Sequence, residues 1–303
     1  MRILLTGTSG QVGGVLAGQL AEFGEVVAAS RAMLDLADVP SVPAKLDAIA
    51  PDVIVNPAAY TAVDRAEDES ELAFRVNGEA PGTIGRWAAA RKVPVVHFST
   101  DYVFSGSGER PWREDDALTG SRGPLSVYGK SKLAGEQALR AAGGPHLIVR
   151  SSWVYHRTGT NFLRTIARLA AERDELRIVA DQIGAPTSAA LIGATLTELV
   201  RKFGGDFSAL AAASGGTLHL AASGEASWHD FATAIVAGLS SRGRTVRATR
   251  IVPIKTSEYP TKATRPLNSR LDLARITTLL GHPMPSWQAA LETELDRVAR
   301  QPS

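Results

Sequence analysis

Cysteine is missing from all 303 residues, which removes disulfides, thiolate catalysis and cysteine-ligated zinc from the available chemistry. Long apolar runs are missing as well. None approaches the roughly 20 residues that a membrane-spanning helix needs. Charge of one sign is also scarce: 33 Lys and Arg stand against 31 Asp and Glu, a formal net charge of +2. No run of Lys or Arg offers a footprint for a phosphate backbone, so nucleic acid is not an expected partner. The opening Met1-Arg2-Ile3-Leu4-Leu5 enters a strand pattern directly, and no signal peptide is expected. These absences predict a soluble, cytoplasmic protein. His97, His146, His156, His219, His229 and His282 show neither metal-ligand spacing nor a hydrolase arrangement. His97 falls inside an apolar strand pattern and reads as a satisfied core histidine.

What is present begins with a turn. Ile3-Leu4-Leu5 runs into Gly7-Thr8-Ser9-Gly10-Gln11-Val12-Gly13, followed by a helical pattern over 15–23. Glycines at this spacing allow a tight turn and close approach of the backbone to a pyrophosphate. The N–H groups at the helix start then face the phosphates. Placed between the first strand and the first helix, Gly7, Ser9, Gly10, Gln11, Val12 and Gly13 form a dinucleotide-binding signature. A second strand over 26–29 ends in Ser30-Arg31, where an NAD site often carries an acid. A serine and an arginine there can accept a 2′-phosphate, which predicts NADPH over NADH, although Arg31 can equally be a solvated loop residue. Asp35 and Leu36 are expected along the adenine. Further strands over 53–56, 95–100 and 147–152 alternate with helical stretches over 79–91 and 130–142. The alternation predicts an α/β, Rossmann-type doubly wound parallel sheet. Residues 1–150 are read as an NAD(P)-binding domain. Residues 151–303 are read as mainly a smaller substrate-binding lobe, interleaved with the sheet domain. Ala58, Ala59 and Tyr60, after the third strand, are placed against the cofactor.

The second signal is Tyr128-Gly129-Lys130-Ser131-Lys132. Residues four apart share a helix face. An ammonium beside a phenol favours the phenolate, so Lys132 is expected to lower the Tyr128 pKa from its usual ~10. Such a phenol can exchange a proton with a carbonyl oxygen, which is half of a ketone reduction. Tyr-x-x-x-Lys alone is common and is usually a solvated face. The glycine turn upstream supplies the context.

Several strings narrow the reading. They are Asn56-Pro57-Ala58-Ala59-Tyr60-Thr61-Ala62-Val63-Asp64, Ser99-Thr100-Asp101-Tyr102-Val103-Phe104 and Val127-Tyr128-Gly129-Lys130-Ser131-Lys132. Beyond the cofactor half come Arg150-Ser151-Ser152-Trp153-Val154-Tyr155, Asp181-Gln182-Ile183-Gly184-Ala185-Pro186-Thr187 and Arg265-Pro266-Leu267-Asn268-Ser269-Arg270. In this order, over nearly the whole chain, they resemble the dTDP-4-dehydrorhamnose reductase family of the extended short-chain dehydrogenase/reductases. The resemblance implies NADPH-dependent reduction of the C4 ketone of a dTDP-4-keto-6-deoxyhexose, giving dTDP-L-rhamnose as the usual product. It implies that Thr100 holds the carbonyl, that Tyr128 gives the proton, and that Lys132 holds the nicotinamide ribose. Thr61, Val63, Asp64, Ser99, Asp101, Tyr102 and Trp153 match positions around the sugar. Read without the resemblance, Trp153 would be a core aromatic. Arg265 and Arg270 are candidates for the substrate pyrophosphate, since guanidinium pairs bidentately with phosphate oxygens.

In the C-terminal half, amphipathic helices are expected over 162–171, 191–203 and 228–239, a surface loop over 204–216, and a turn-containing loop over 181–187. Some family members are dimers bridged by magnesium. The matching ligand positions here are Val15 and Ala190, which offer no oxygen donor. No metal is therefore expected, and the chain is expected as a monomer or as a dimer not bridged by metal. Three alternatives stand beside the leading reading. One is a reductase of another dTDP-4-ketosugar from antibiotic deoxysugar synthesis. Another is an epimerase or dehydratase of the same superfamily. The third is a non-catalytic NADP-binding subunit resembling the regulatory subunit of methionine adenosyltransferase.

Overall fold

Six short apolar runs form one parallel sheet. In the computed structural model, residues 1–116 and 118–299 are described. The strands are β1 (Arg2–Leu5), β2 (Glu25–Ala28), β3 (Val53–Asn56), β4 (Val95–Thr100), β5 (His146–Ser151) and β6 (Thr217–His219). Their order is β6-β5-β4-β3-β1-β2, and every neighbouring pair is parallel. Helices cover both faces, which is why the strands read as continuous apolar runs. Ile3, Leu5, Val53, Val55, Val96 and Val149 face one layer, where Leu16, Leu20, Ile192, Leu196 and Leu210 pack. Leu4, Ile54, Val95 and Ile148 face the other, against Leu46, Ile84, Trp87 and Leu139. The chain reverses its direction of travel across the sheet between β1 and β3. Ligands of such folds bind above that point, outside the carboxyl ends of the strands.

A second core lies beyond the sheet. Leu163 and Ile166 of the helix Phe162–Glu172 pack with Phe231, Ile235 and Leu239 of Trp228–Ser241 and with Trp287, Leu291 and Leu295 of Trp287–Ala299. The halves share material. β6 comes from beyond residue 200 yet completes the sheet, and the helix Ala189–Lys202 packs on the sheet beside Gln11–Gln19. The last four residues, the end of the lobe read from sequence, lie outside the described residues.

Several sequence expectations shift here. The first helix starts at Gln11, not at 15, so the glycine turn leads straight into it. The loop expected over 204–216 contains the helix Phe207–Ala213. The Asp206 carboxylate accepts from the N–H groups of Ser208 and Ala209 at 2.8 and 2.9 Å and caps it. Phe207, Leu210 and Ala211 bury one face, an amphipathic spacing hidden among small residues. The loop over 181–187 contains two two-residue strands, Ile183–Gly184 and Thr187–Ser188. A parallel pair, Glu175–Val179 with Arg250–Ile254, had no sequence expectation. Among the described residues, no helix is long and apolar enough to cross a membrane.

Candidate active site

A cleft of about 850 Å³ opens along the carboxyl ends of β1 to β5. At one end lies the glycine turn. Gly7 has φ +59°, and a Cβ there would sit 2.8 Å from the Ala58 nitrogen, so only glycine lets the β1 and β3 ends approach. Ser9, Gly10, Gln11, Val12 and Gly13 line the cleft beside it. Ser30, Arg31, Asp35 and Leu36 line it below β2, and Ala58 and Ala59 line it after β3. Arg31 is exposed. Tyr60 is not among the lining residues. Its N–H donates to Asn77 Oδ1 at 2.8 Å, and its phenol donates to Glu69 Oε2 at 2.7 Å.

The middle of the cleft belongs to β4 and the helix Val127–Ala141. Ser126 caps this helix by accepting from the Gly129 N–H at 3.2 Å. A Cβ on Gly129 would lie 2.2 Å from the Tyr102 carbonyl oxygen, so this glycine sets how closely the helix meets the β4 end. Ser99, Thr100, Asp101, Tyr102, Tyr128 and Lys132 all line the cleft as a result. The Thr100 hydroxyl donates to Asp101 Oδ1 at 3.0 Å. The rings of Tyr102 and Tyr128 meet edge to face, 5.4 Å apart.

The electrostatics correct the sequence expectation for Tyr128. Burial pushes its phenol well above the usual range, Asp101 and Tyr102 add to that, and a hydrogen bond with Thr100 pulls the other way. Lys132 does not lower it. The lysine nitrogen instead donates to the Phe98 carbonyl at 2.6 Å and lies 3.3 Å from His97 Nε2. Burial pushes the Lys132 amine down to about 8, against the opposing pull of Glu136. Burial also pushes the Asp101 carboxyl up to about 6. His97 is fully buried with both ring nitrogens facing polar neighbours, in accord with its reading as a satisfied core residue.

The far end is aromatic. Trp153 lines the cleft in a left-handed conformation, φ 49°, unusual for a bulky residue. Its indole stacks on Trp228 with centroids 3.6 Å apart and planes 9° from parallel. Trp228 Nε1 donates to Gln182 Oε1 at 3.1 Å, fixing the pair from behind. Trp228 also lines the cleft and carried no sequence signal, because only tertiary packing brings it to Trp153. Thr61, Val63 and Arg265 line the same region. Arg265 donates to Tyr102 Oη at 3.2 Å and to Asp64 Oδ2 at 2.6 Å, and Asp64 itself is not among the lining residues. Arg270 is not brought to the cleft. It donates to Glu225 Oε2 at 2.5 Å and to Asn268 Oδ1 at 3.3 Å. Among the described residues, no group of three or more His, Asp or Glu is placed to hold a metal ion.

A parallel sheet with a glycine-rich first turn, and a Thr–Tyr–Lys constellation across its edge, defines an NAD(P)-dependent oxidoreductase of the extended short-chain dehydrogenase/reductase kind. Comparison with known proteins narrows this. A family model described as the RmlD substrate binding domain matches residues 1–300. A dTDP-4-dehydrorhamnose reductase of Burkholderia thailandensis is 43% identical over 300 residues, covering 96% of this chain and 97% of that protein. The crystal structure of a dTDP-4-dehydrorhamnose reductase from Clostridium acetobutylicum superposes with a TM-score of 0.86 at 32% identity, covering 98% and 99% of the two chains. That of a dTDP-4-dehydrorhamnose reductase from Bacillus anthracis, in complex with NADP, superposes with a TM-score of 0.85 at 32% identity over the same shares. The chain belongs to the dTDP-4-dehydrorhamnose reductase (RmlD) family.

Proposed function

We propose that this chain reduces the C4 ketone of dTDP-4-dehydro-L-rhamnose to dTDP-L-rhamnose, using NADPH. The observation that carries the reading is the convergence of Thr100, Tyr128 and Lys132 on one cleft that begins at the glycine turn. The turn fits a dinucleotide. At Gly13 a Cβ would lie 2.2 Å from the Gly7 carbonyl oxygen, so the helix that starts at Gln11 packs tightly against the glycine turn. Its free N–H groups suit a pyrophosphate. Ser30 and Arg31 would take the 2′-phosphate, Asp35 and Leu36 the adenosine, and Ala58 and Ala59 the middle of the cofactor. Lys132 would hold the nicotinamide ribose.

When bound, NADPH supplies a hydride to C4. The residues of this chain supply the proton and the alignment. Burial keeps the Tyr128 phenol protonated at neutral pH, so Tyr128 meets the ketone as an acid and gives its proton to the C4 oxygen. The Thr100 hydroxyl, on the end of β4, would turn its proton from Asp101 Oδ1 to hold that oxygen. Trp153, backed by Trp228, offers a flat face to the sugar, in a cleft that Thr61 and Val63 also line. Arg265, already half-buried and charged, is the candidate for the substrate pyrophosphate. Val15 and Ala190 bring no oxygen donor to the position of a bridging magnesium, so metal is not part of this reading.

The test is NADPH oxidation followed by absorbance, with the ketosugar generated in situ. Rapid oxidation with dTDP-L-rhamnose as product is expected. Oxidation only with other dTDP-4-ketosugars would move the reading to antibiotic deoxysugar synthesis. Cofactor binding without turnover of any ketosugar would favour a regulatory subunit. Activity abolished by a chelator and restored by magnesium would overturn the metal-free reading.

A further inference from the structure

Lys132 is not held by the cofactor cleft alone. Behind it a line of polar side chains runs through the interior of the sheet, where apolar groups would be the default. His97, on β4, is completely buried, and its Nε2 lies 3.3 Å from Lys132 Nζ. On the other side of the ring, the Asn56 side-chain amide lies 3.2 Å from Nδ1. The oxygen of that amide accepts from Thr6 Oγ1 at 2.6 Å, and Thr6 Oγ1 in turn accepts from the Ala58 N–H at 3.3 Å. Thr6, Ala58 and Lys132 all line the cleft, so the line begins and ends there and passes under its floor. Asn56 ends β3 and Thr6 follows β1, so three neighbouring strands are tied to one lysine.

We propose that His97 is a positioning residue that holds the Lys132 ammonium in register with the cleft, anchored through Asn56 and Thr6 to the glycine turn. A lysine ammonium has three N–H groups. One goes to the Phe98 carbonyl and one to His97 Nε2, leaving one for the cleft. A flexible four-carbon side chain is thereby reduced to a single orientation. An unpaired buried imidazole would be costly, so the ring's presence in an apolar strand needs both of its partners. The other charged group facing this pair is Glu136, one turn along the helix from Lys132, and it is held by Arg150 and Arg140. The ring acts through Lys132 and has no contact with the cleft of its own.

The inference rests on the role of Lys132 in the proposed reduction, and a double-mutant cycle separates the two. His97→Leu should lower kcat roughly 10–100-fold, the value of a hydrogen bond to a charged group. His97→Gln, which keeps a polar partner for Lys132, should recover most of that loss. In a Lys132→Met background, followed by single turnover, His97→Leu should change the rate by less than about two-fold. Equal losses from His97→Leu in both backgrounds would show a general packing defect and overturn the inference while leaving the role of Lys132 standing. A Lys132→Met enzyme that turns over like the parent would remove both. Nitrogen-labelled histidine spectra of the unmodified protein give an independent test that needs no variant to fold. An ammonium donating to Nε2 requires the ring proton on Nδ1 below pH ~7, so the Asn56 amide must turn its oxygen to Nδ1 and its nitrogen to Thr6 Oγ1, the reverse of the orientation given above. A proton found on Nε2 there would overturn the inference.

Discussion

Replacing Asp101 by asparagine should make the protein more stable at neutral pH, and the gain should disappear in acid. Asp101 is 2% exposed, and burial raises its carboxyl from 3.8 to about 6. An acid with a raised folded-state pKa contributes stability that is complete below the unfolded value and lost as pH rises through the folded one. The gap between 3.8 and about 6 corresponds to roughly 3 kcal/mol. The asparagine side chain does not titrate, so the stability difference between variant and parent should widen by most of that amount from about pH 4 to about pH 7. An amide nitrogen that finds no acceptor would cost on the order of 1–3 kcal/mol, but equally at every pH. The change in the difference is therefore the quantity to read. Urea unfolding of both proteins at the two pH values measures it. A difference that stays constant would refute the argument that this carboxyl is ionised at a cost in the native state. A carboxylate kept at the expense of stability beside the reacting groups is what a stability–activity trade-off looks like at one residue.

Four further outcomes follow from the geometry. Tyr128→Phe should lose ~10²–10⁴-fold in kcat, with NADPH affinity largely retained, as fluorescence titration would show. Arg31→Ala should raise the Michaelis constant for NADPH far more than that for NADH, and equal changes would remove Arg31 from the 2′-phosphate. Arg265→Ala should raise the Michaelis constant for the nucleotide sugar much more than that for NADPH, whereas Arg270→Ala should leave both near the parent values because Arg270 pairs with Glu225 away from the cleft. Glu136→Gln should destabilise the fold by about 3–5 kcal/mol, measured by denaturation, since it strands Arg150, which is 1% exposed and bonded to both Glu136 oxygens at 2.7 and 2.9 Å.

Local chemistry was the legible part. The glycine turn, the strand ends at Ser30 and Thr100, and the Tyr128–Lys132 spacing depend on residues near each other in the chain, and the structure brings all of them to one cleft. What was not legible depends on distant chain. The direction of the Tyr128 shift follows from desolvation, and a four-residue spacing says nothing of what buries the ring. Lys132 shares a face with Tyr128, but its nitrogen is claimed by Phe98 and His97 on β4. Trp228 reaches Trp153 from far along the chain, with no motif to announce it. Arg270 belonged to the same string as Arg265, yet one sits at the cleft and the other does not, because Glu225 captures its guanidinium. The helix Phe207–Ala213 was hidden because three apolar contacts among alanines and serines give a weak period.

The late arrival of β6 bears on how the chain is made. When a ribosome has released Arg150, five strands of the sheet exist, but β5 has a bare edge and the layer over Val149 lacks Ile192, Leu196, Leu210 and Leu218. The missing strand follows roughly seventy residues later, which at ~5–20 residues per second means several seconds of exposure. During that interval Leu147-Ile148-Val149 is an apolar strand paired with β4 on one edge and open on the other, the kind of edge that recruits a neighbouring chain. Arg150, at its end, is the nearest charge along the strand, and its partner Glu136 is already synthesised. A chain that stops at residue 150 keeps this edge bare, whereas one extended through Leu280 supplies both β6 and the helix Ala274–Leu280 behind it.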